Sequence, residues 1–327
     1  MNNQFDLPRE RASSLAFPGQ SNFLSRGKLT KQMAQSVTRR TALKTMGVSL
    51  AGLAFARLGL NNAHAITNGQ PDGDAHPNVG GFVWLKSLWP PNPPPLFIGT
   101  GNLIHPRVVL TAGHGTATVE SAIANGLMTM DDLLISFASN AAEPDTQHEI
   151  SAVLTHPLYA EQPAGGVGNI PLSDVGVAIL EEAINDIPIM PLSSLGFLDA
   201  LEASGQLREG SDRATFTAVG YGVEQGPNPG HSPFPPDGIR RVAQSAFRNL
   251  HERWLFLDEN PAHDLGGTAA GDSGGPSLWV DPETGEETLV AIVSRGSPTH
   301  RALYRVDTEE ALTFLNEVIA SVEAGEL

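Results

Sequence analysis

The 327-residue chain carries 36 Asp and Glu against 20 Lys and Arg, a net charge of −16, and it contains no cysteine. The acidic balance argues against nucleic acid and against anionic membrane surfaces as partners. Without cysteine there are no disulfide staples, so stability must come from buried cores, and a mature chain of about 262 residues is long enough to bury two of them.

The charge is distributed unevenly. Residues 1–65 hold nine of the basic residues and two of the acidic ones, leaving 11 and 34 from Ile66 onward, a net charge of −23. Thr38-Arg39-Arg40-Thr41-Ala42-Leu43-Lys44 resembles a twin-arginine export signal, with Ala42 where phenylalanine is usual. The apolar run from Met46 to Ala56 is too short to span a bilayer comfortably, and Arg57 interrupts it, so no stable membrane anchor is expected. Ala63-His64-Ala65 supplies the small residues of a signal-peptidase site. The resemblance implies an export leader over 1–65, cleaved after Ala65, and a periplasmic or extracellular mature protein. Twin-arginine export carries folded protein, so folding would occur in a reducing compartment, in keeping with the absent cysteine. Met33 is an alternative start that places five residues before the arginine pair.

From Ile66 onward no internal repeat stands out. Strand signals are short and separated by Gly/Pro turns, which predicts an all-β protein. Prolines 90, 91, 93, 94 and 95 make a stiff surface loop. Gly99–Ile104 and Pro106–Leu110 read as paired strands that end at an exposed histidine in Thr111-Ala112-Gly113-His114. In Ser173-Asp174-Val175-Gly176-Val177-Ala178-Ile179-Leu180 one carboxylate opens an otherwise apolar strand. It would be buried there and would need a partner such as an imidazole N–H; the plainer reading is a strand-start aspartate. Gln225–Gly238 is a second Pro/Gly-rich loop. Asp307-Thr308-Glu309-Glu310 caps a terminal helix, with Leu312, Leu315, Ile319 and Val322 at helical spacing as packing residues.

The chemistry concentrates in Gly271-Asp272-Ser273-Gly274-Gly275-Pro276. Glycines around Ser273 leave its hydroxyl accessible, and the N–H groups of Gly271 and Ser273 can face one developing oxyanion. An ordinary glycine-rich loop is the bland alternative. A phosphate loop is excluded because no lysine follows the glycines. GDSGG also fits the G-x-S-x-G elbow of a serine esterase, with Asp281 and His300 as the partners left downstream, but the chain before it does not alternate strand and helix.

The order His114, Asp174, Ser273 within TAGH, SDVGVAIL and GDSGGP resembles the chymotrypsin/trypsin-like serine protease family over nearly all of the chain from Ile66. Ile66-Thr67-Asn68-Gly69, His156-Pro157-Leu158-Tyr159, Ala218-Val219-Gly220-Tyr221-Gly222, Val293-Ser294-Arg295-Gly296 and Leu303-Tyr304-Arg305-Val306 match further family segments in order. The resemblance implies two six-stranded antiparallel Greek-key barrels with a C-terminal helix, over residues 66–183 and 184–327. It implies a secreted serine endopeptidase acting on protein or peptide substrates, as a monomer and without cofactor or metal. Ser273 would be the nucleophile, His114 the general base and Asp174 its orienting carboxylate, with Gly271 and Ser273 forming the oxyanion hole. The Ile66 ammonium, freed by leader removal, would pair with Asp272. Gly267, Thr268, Ser294, Gly296 and Ala302 would line the substrate pocket. With glycine and not aspartate at 267, a preference for Lys or Arg is not expected. An apolar slot is favoured slightly over an acid-binding one that would use Arg295, His300 and Arg301. The alternative class is a silent member of the family that keeps the fold and serves as a binding or scaffold protein.

Overall fold

The computed structural model describes residues 69–88, 96–159, 173–208, 210, 213–222, 237–297 and 300–327. The expectations placed on the leader, on Ile66, on the proline loop at 90–95 and on most of the 225–238 loop lie outside the described residues.

The fold is all-β: two closed six-stranded antiparallel barrels followed by a terminal helix, as expected. After a two-residue strand β1 (Gln70–Pro71), the first barrel is built from β2 (Val79–Trp84), β3 (Leu96–His105), β4 (Val108–Thr111), β5 (Leu133–Ser136), β6 (Gln147–Thr155) and β7 (Gly176–Leu180). They run in the order β2-β3-β4-β7-β6-β5, and β5 closes on β2. The second barrel comprises β8 (Thr215–Gly220), β9 (Arg241–Leu250), β10 (Trp254–Asp258), β11 (Pro276–Val280), β12 (Glu287–Ser297) and β13 (His300–Arg305), closed by the pairing of β8 with β9. Strand β1 joins this second barrel, with Gln70 opposite Val242.

The uniformly apolar strands now have a reason. In β4, Val109 faces the interior of the first barrel while Val108 and Leu110 face a cluster shared between the barrels. In β7, Ala178 and Leu180 point inward and Val177 and Ile179 outward into the same shared cluster. Both faces are buried, so the polar half of the usual strand alternation disappears. Leu278, Ile292 and Tyr304 of the second barrel complete the shared cluster. At about 1.5–3 kcal/mol per fully buried apolar side chain, this layer binds the two barrels into one unit.

Among the described residues, three α-helices accompany the barrels. Helix α1 (Gly113–Ala124) directly follows β4, where the sequence predicts only an exposed histidine. Glycine, threonine and valine in GHGTATVESAIA are weak helix formers, so propensity conceals it; burial of Thr116 and Val119 and packing on β6 and β7 hold it. Helix α2 (Phe197–Ala203) lies between the barrels in sequence. Helix α3 (Glu309–Glu323) starts where expected, with the Thr308 hydroxyl accepting from the Ala311 N–H at 3.2 Å. Its buried stripe is centred on Ala311, Phe314, Leu315, Val318 and Val322, leaving Leu312 and Ile319 half-buried at its edges.

A polar clamp joins the start of the described chain to both barrels. Arg240, 1 % exposed, spends its guanidinium on Asp72 Oδ2 (2.8 Å), the carbonyls of Gly73 (2.7 Å), Val79 (3.1 Å) and Phe137 (2.8 Å), and the Tyr221 hydroxyl (3.0 Å). His76 Nδ1 lies 2.5 Å from the other oxygen of Asp72, and its Nε2 lies 3.1 Å from Glu287. A buried cation of this kind is tolerated because its donors find acceptors.

Candidate active site

The residues singled out in the sequence converge at the junction of the barrels. Strand β4 ends at Thr111 and α1 begins at Gly113, so His114 sits in the first turn of the helix. Gly113 is required there, because a Cβ would come within 2.9 Å of the backbone N and O of Val175. This close approach brings the chain around His114 against the start of β7. The His114 N–H donates to Asp174 Oδ1 at 2.7 Å, and its ring Nδ1 lies 3.0 Å from Oδ2.

Asp174 is wholly buried, and the Ser294 hydroxyl also donates to its Oδ2. Burial alone would raise its pKa. The charge of the His114 ring and the hydrogen bonds from His114 and Ser294 more than offset that, holding the carboxyl below its ordinary value. Ser294, expected in the pocket, therefore commits its hydroxyl to Asp174. The turn before Asp174 is strained, with Ser173 at φ 52°. The Ser173 hydroxyl donates to Glu310 of α3, which also accepts from Tyr304 Oη at 3.0 Å and pairs with Arg253 at 3.2 Å. The sequence gives no hint that the terminal helix steadies this turn.

The GDSGGP turn is pinned by strands of both barrels. The Ser273 carbonyl accepts from Thr100 N (2.9 Å), Gly274 N donates to the Val293 carbonyl (2.8 Å), and the Gly274 carbonyl accepts from Asn102 Nδ2 (2.8 Å). A Cβ on Gly274 would come within 2.7 Å of Ala112 N, so the residue after Ser273 packs against the segment that leads into His114. Gly271 and Gly274 have φ values of 97° and 83°, conformations that only glycine adopts freely. Among the described residues, the N–H groups of Gly271 and Ser273 have no acceptor, and no hydrogen bond joins Ser273 Oγ to His114.

Asp272 is wholly buried and engages Gly222 and Ala269. Its oxygens accept from Gly222 N at 2.8 Å and Ala269 N at 2.7 Å. Side chains at Gly220 or Gly222 would overlap this carboxylate, which explains the glycines flanking Tyr221. Complete burial pushes Asp272 up to about 7, because the two amides and the more distant Arg301 do not compensate for lost water. Its expected partner, Ile66, lies outside the described residues.

The pocket departs from the apolar slot predicted by Gly267 and Gly296. A Cβ on Gly267 would overlap the side chain of Glu259, and one on Gly296 would overlap the His300 carbonyl and approach Arg301. Glu259 and Arg301 form a buried ion pair, Nε to Oε2 3.3 Å, beside Thr268. Ala302 is buried on β13 opposite Arg295. No protein-family model matches the chain, and no curated protein compared with it matches either.

Proposed function

We propose that the chain is a serine endopeptidase. The observation that carries this reading is the His114–Asp174 pair, together with a glycine-built serine turn packed against the segment before His114 and carrying two backbone N–H groups without an acceptor among the described residues. In the first step His114 Nε2 takes the Ser273 proton as Oγ attacks the scissile carbonyl. Asp174 keeps Nδ1 protonated and stabilises the imidazolium, while the Gly271 and Ser273 amides hold the oxyanion. His114 then protonates the leaving amine, and water repeats the sequence to release the acyl group. The missing bond between Ser273 and His114 is compatible with this, since such contacts commonly tighten only when substrate binds.

Asp272 supports a second part of the reading: removal of residues 1–65 during export frees the Ile66 ammonium to compensate this buried carboxylate. The cleavage that removes the export leader would then also activate the protein.

Labelling with a fluorophosphonate probe tests the central claim. The mature protein should label, and Ser273→Ala should not; equal labelling of both would falsify the assignment of Ser273.

A further inference from the structure

Ser273 and His114 are carried by different barrels, so their relative placement depends on how the serine turn is fastened to the first barrel. The fastening is concentrated on one face of β3. Gly101 faces the interior of the first barrel, where a Cβ would meet Val109 and Phe82, so its neighbours Thr100 and Asn102 face the other way. Both are wholly buried. Thr100 donates its N–H to the Ser273 carbonyl at 2.9 Å and its hydroxyl to the Gly271 carbonyl at 2.9 Å. Asn102 donates from Nδ2 to the Gly274 carbonyl at 2.8 Å, and Gly275 N takes the Asp272 carbonyl at 2.8 Å. All four carbonyls of residues 271–274 are therefore occupied, three of them by β3. The groups that the turn has left over are the donors of Gly271 and Ser273.

The same two residues also reach the strand that leads to His114. Thr111 donates its hydroxyl to the Thr100 carbonyl at 2.8 Å, and Asn102 Nδ2 donates to the Leu110 carbonyl at 3.3 Å. Both Nδ2 partners are carbonyl oxygens, which fixes the orientation of the amide. Among the described residues its Oδ1 has no hydrogen-bond partner, and a buried unpaired acceptor opposes folding. What the carboxamide supplies, and an apolar side chain could not, is a short link between two carbonyls. One belongs to the residue after Ser273, the other to the residue four before His114. We propose that Asn102, with Thr100 beside it, is a positioning residue that sets Ser273 in register with His114. The effect on reaction rate rests on the serine-endopeptidase reading; the fastening of the turn does not.

The test compares Asn102→Ala with Leu103→Ala, a truncation on the same strand that opens the interior of the first barrel. Under conditions where both variants are folded by circular dichroism, Asn102→Ala should slow fluorophosphonate labelling of Ser273 on the order of 100-fold, and Leu103→Ala should leave the rate unchanged. Should Asn102→Ala not fold, Thr100→Val removes only the hydroxyl bond to Gly271 and should slow labelling on the order of tenfold, while Thr100→Ser restores it. In a Ser273→Ala background, where no labelling is needed, Asn102→Ala should speed hydrogen exchange of the Gly274 and Gly275 amides at least about tenfold beyond any change in Leu103→Ala. Labelling at the unmodified rate in Asn102→Ala, or an equal slowing in Leu103→Ala, would overturn the proposal. A protein that never labels sinks the hydrolase reading alone, and the exchange comparison then decides the fastening. Normal labelling with unchanged exchange sinks the inference about Asn102 alone.

Discussion

Asp174 and Asp272 are both wholly buried, both lie at the junction of the barrels, and each accepts at least two hydrogen bonds, yet their carboxyl pKa values move in opposite directions. Asp174 has the His114 ring at 3.0 Å, and its pKa falls. Asp272 has amides on both oxygens and no cation in contact among the described residues, and its pKa rises to about 7. Backbone amides do not hold a fully desolvated carboxylate ionised here, whereas an adjacent ionisable ring does. One carboxylate has an ionisable partner in contact, and the other has none among the described residues.

The most severe way to break the comparison is Asp174→Asn. The amide keeps the shape but no longer fixes the tautomer of His114, and kcat should fall on the order of 10⁴-fold in steady-state peptide hydrolysis. A fall of less than tenfold would remove Asp174 from the mechanism.

The next test alters the charge available to Asp272, by comparing a protein that begins at Ile66 with one that carries a single extra residue before it. In the extended protein, folded Asp272 binds its proton more tightly than the unfolded chain does, at about 7 against 3.8. Its stability contribution is therefore complete below about pH 4 and is lost as the pH rises through 7, a decline of about 4 kcal/mol. The protein that begins at Ile66 should show no such decline. Asp174 works in the opposite sense, contributing above pH 3.8 and losing its contribution as pH falls below that value. Urea unfolding between pH 5 and 8 measures the difference, and parallel pH profiles for the two proteins would refute the pairing of Ile66 with Asp272.

A smaller effect sharpens the steric side. Gly222→Ala drives a methyl group into the Asp272 carboxylate and should cost about 1–3 kcal/mol in thermal unfolding. Gly115→Ala, beside His114 on the open face of α1, meets nothing within 4 Å and should gain about 0.5–1 kcal/mol. The reverse ranking would contradict the packing described around Asp272.

Much of this arrangement is legible in the sequence because it is carried by short contiguous signals. Apolar strands, glycine turns and the TAGH and GDSGGP segments each act locally, and they led to both barrels and to the neighbourhood of His114, Asp174 and Ser273. What escaped depends on distant partners. Ser294 meets Asp174 across 120 positions, Ser173 meets Glu310 across 137, and Arg301 meets Glu259 across 42. Neither member of such a pair looks unusual alone: Glu310 reads only as part of a helix-capping segment. Helix α1 escaped for a different reason, since tertiary packing rather than propensity holds it. The apolar pocket reading assumed that two glycines leave space, whereas the Glu259 side chain lies beside Gly267, and the His300 carbonyl and Arg301 lie beside Gly296.

The Arg240 clamp has a consequence for delivery. It fixes Asp72 to both barrels, and β1 fixes Gln70 and Pro71 against β9. An amino terminus freed at Ile66 would therefore hang on a leash of four residues from Gln70, with a reach of about 14 Å at most. Its search would be intramolecular, with a local concentration on the order of millimolar that does not depend on how dilute the protein is. A free peptide offered in solution to pair with Asp272 would have to match that concentration, so self-docking should outcompete any soluble amine at ordinary levels.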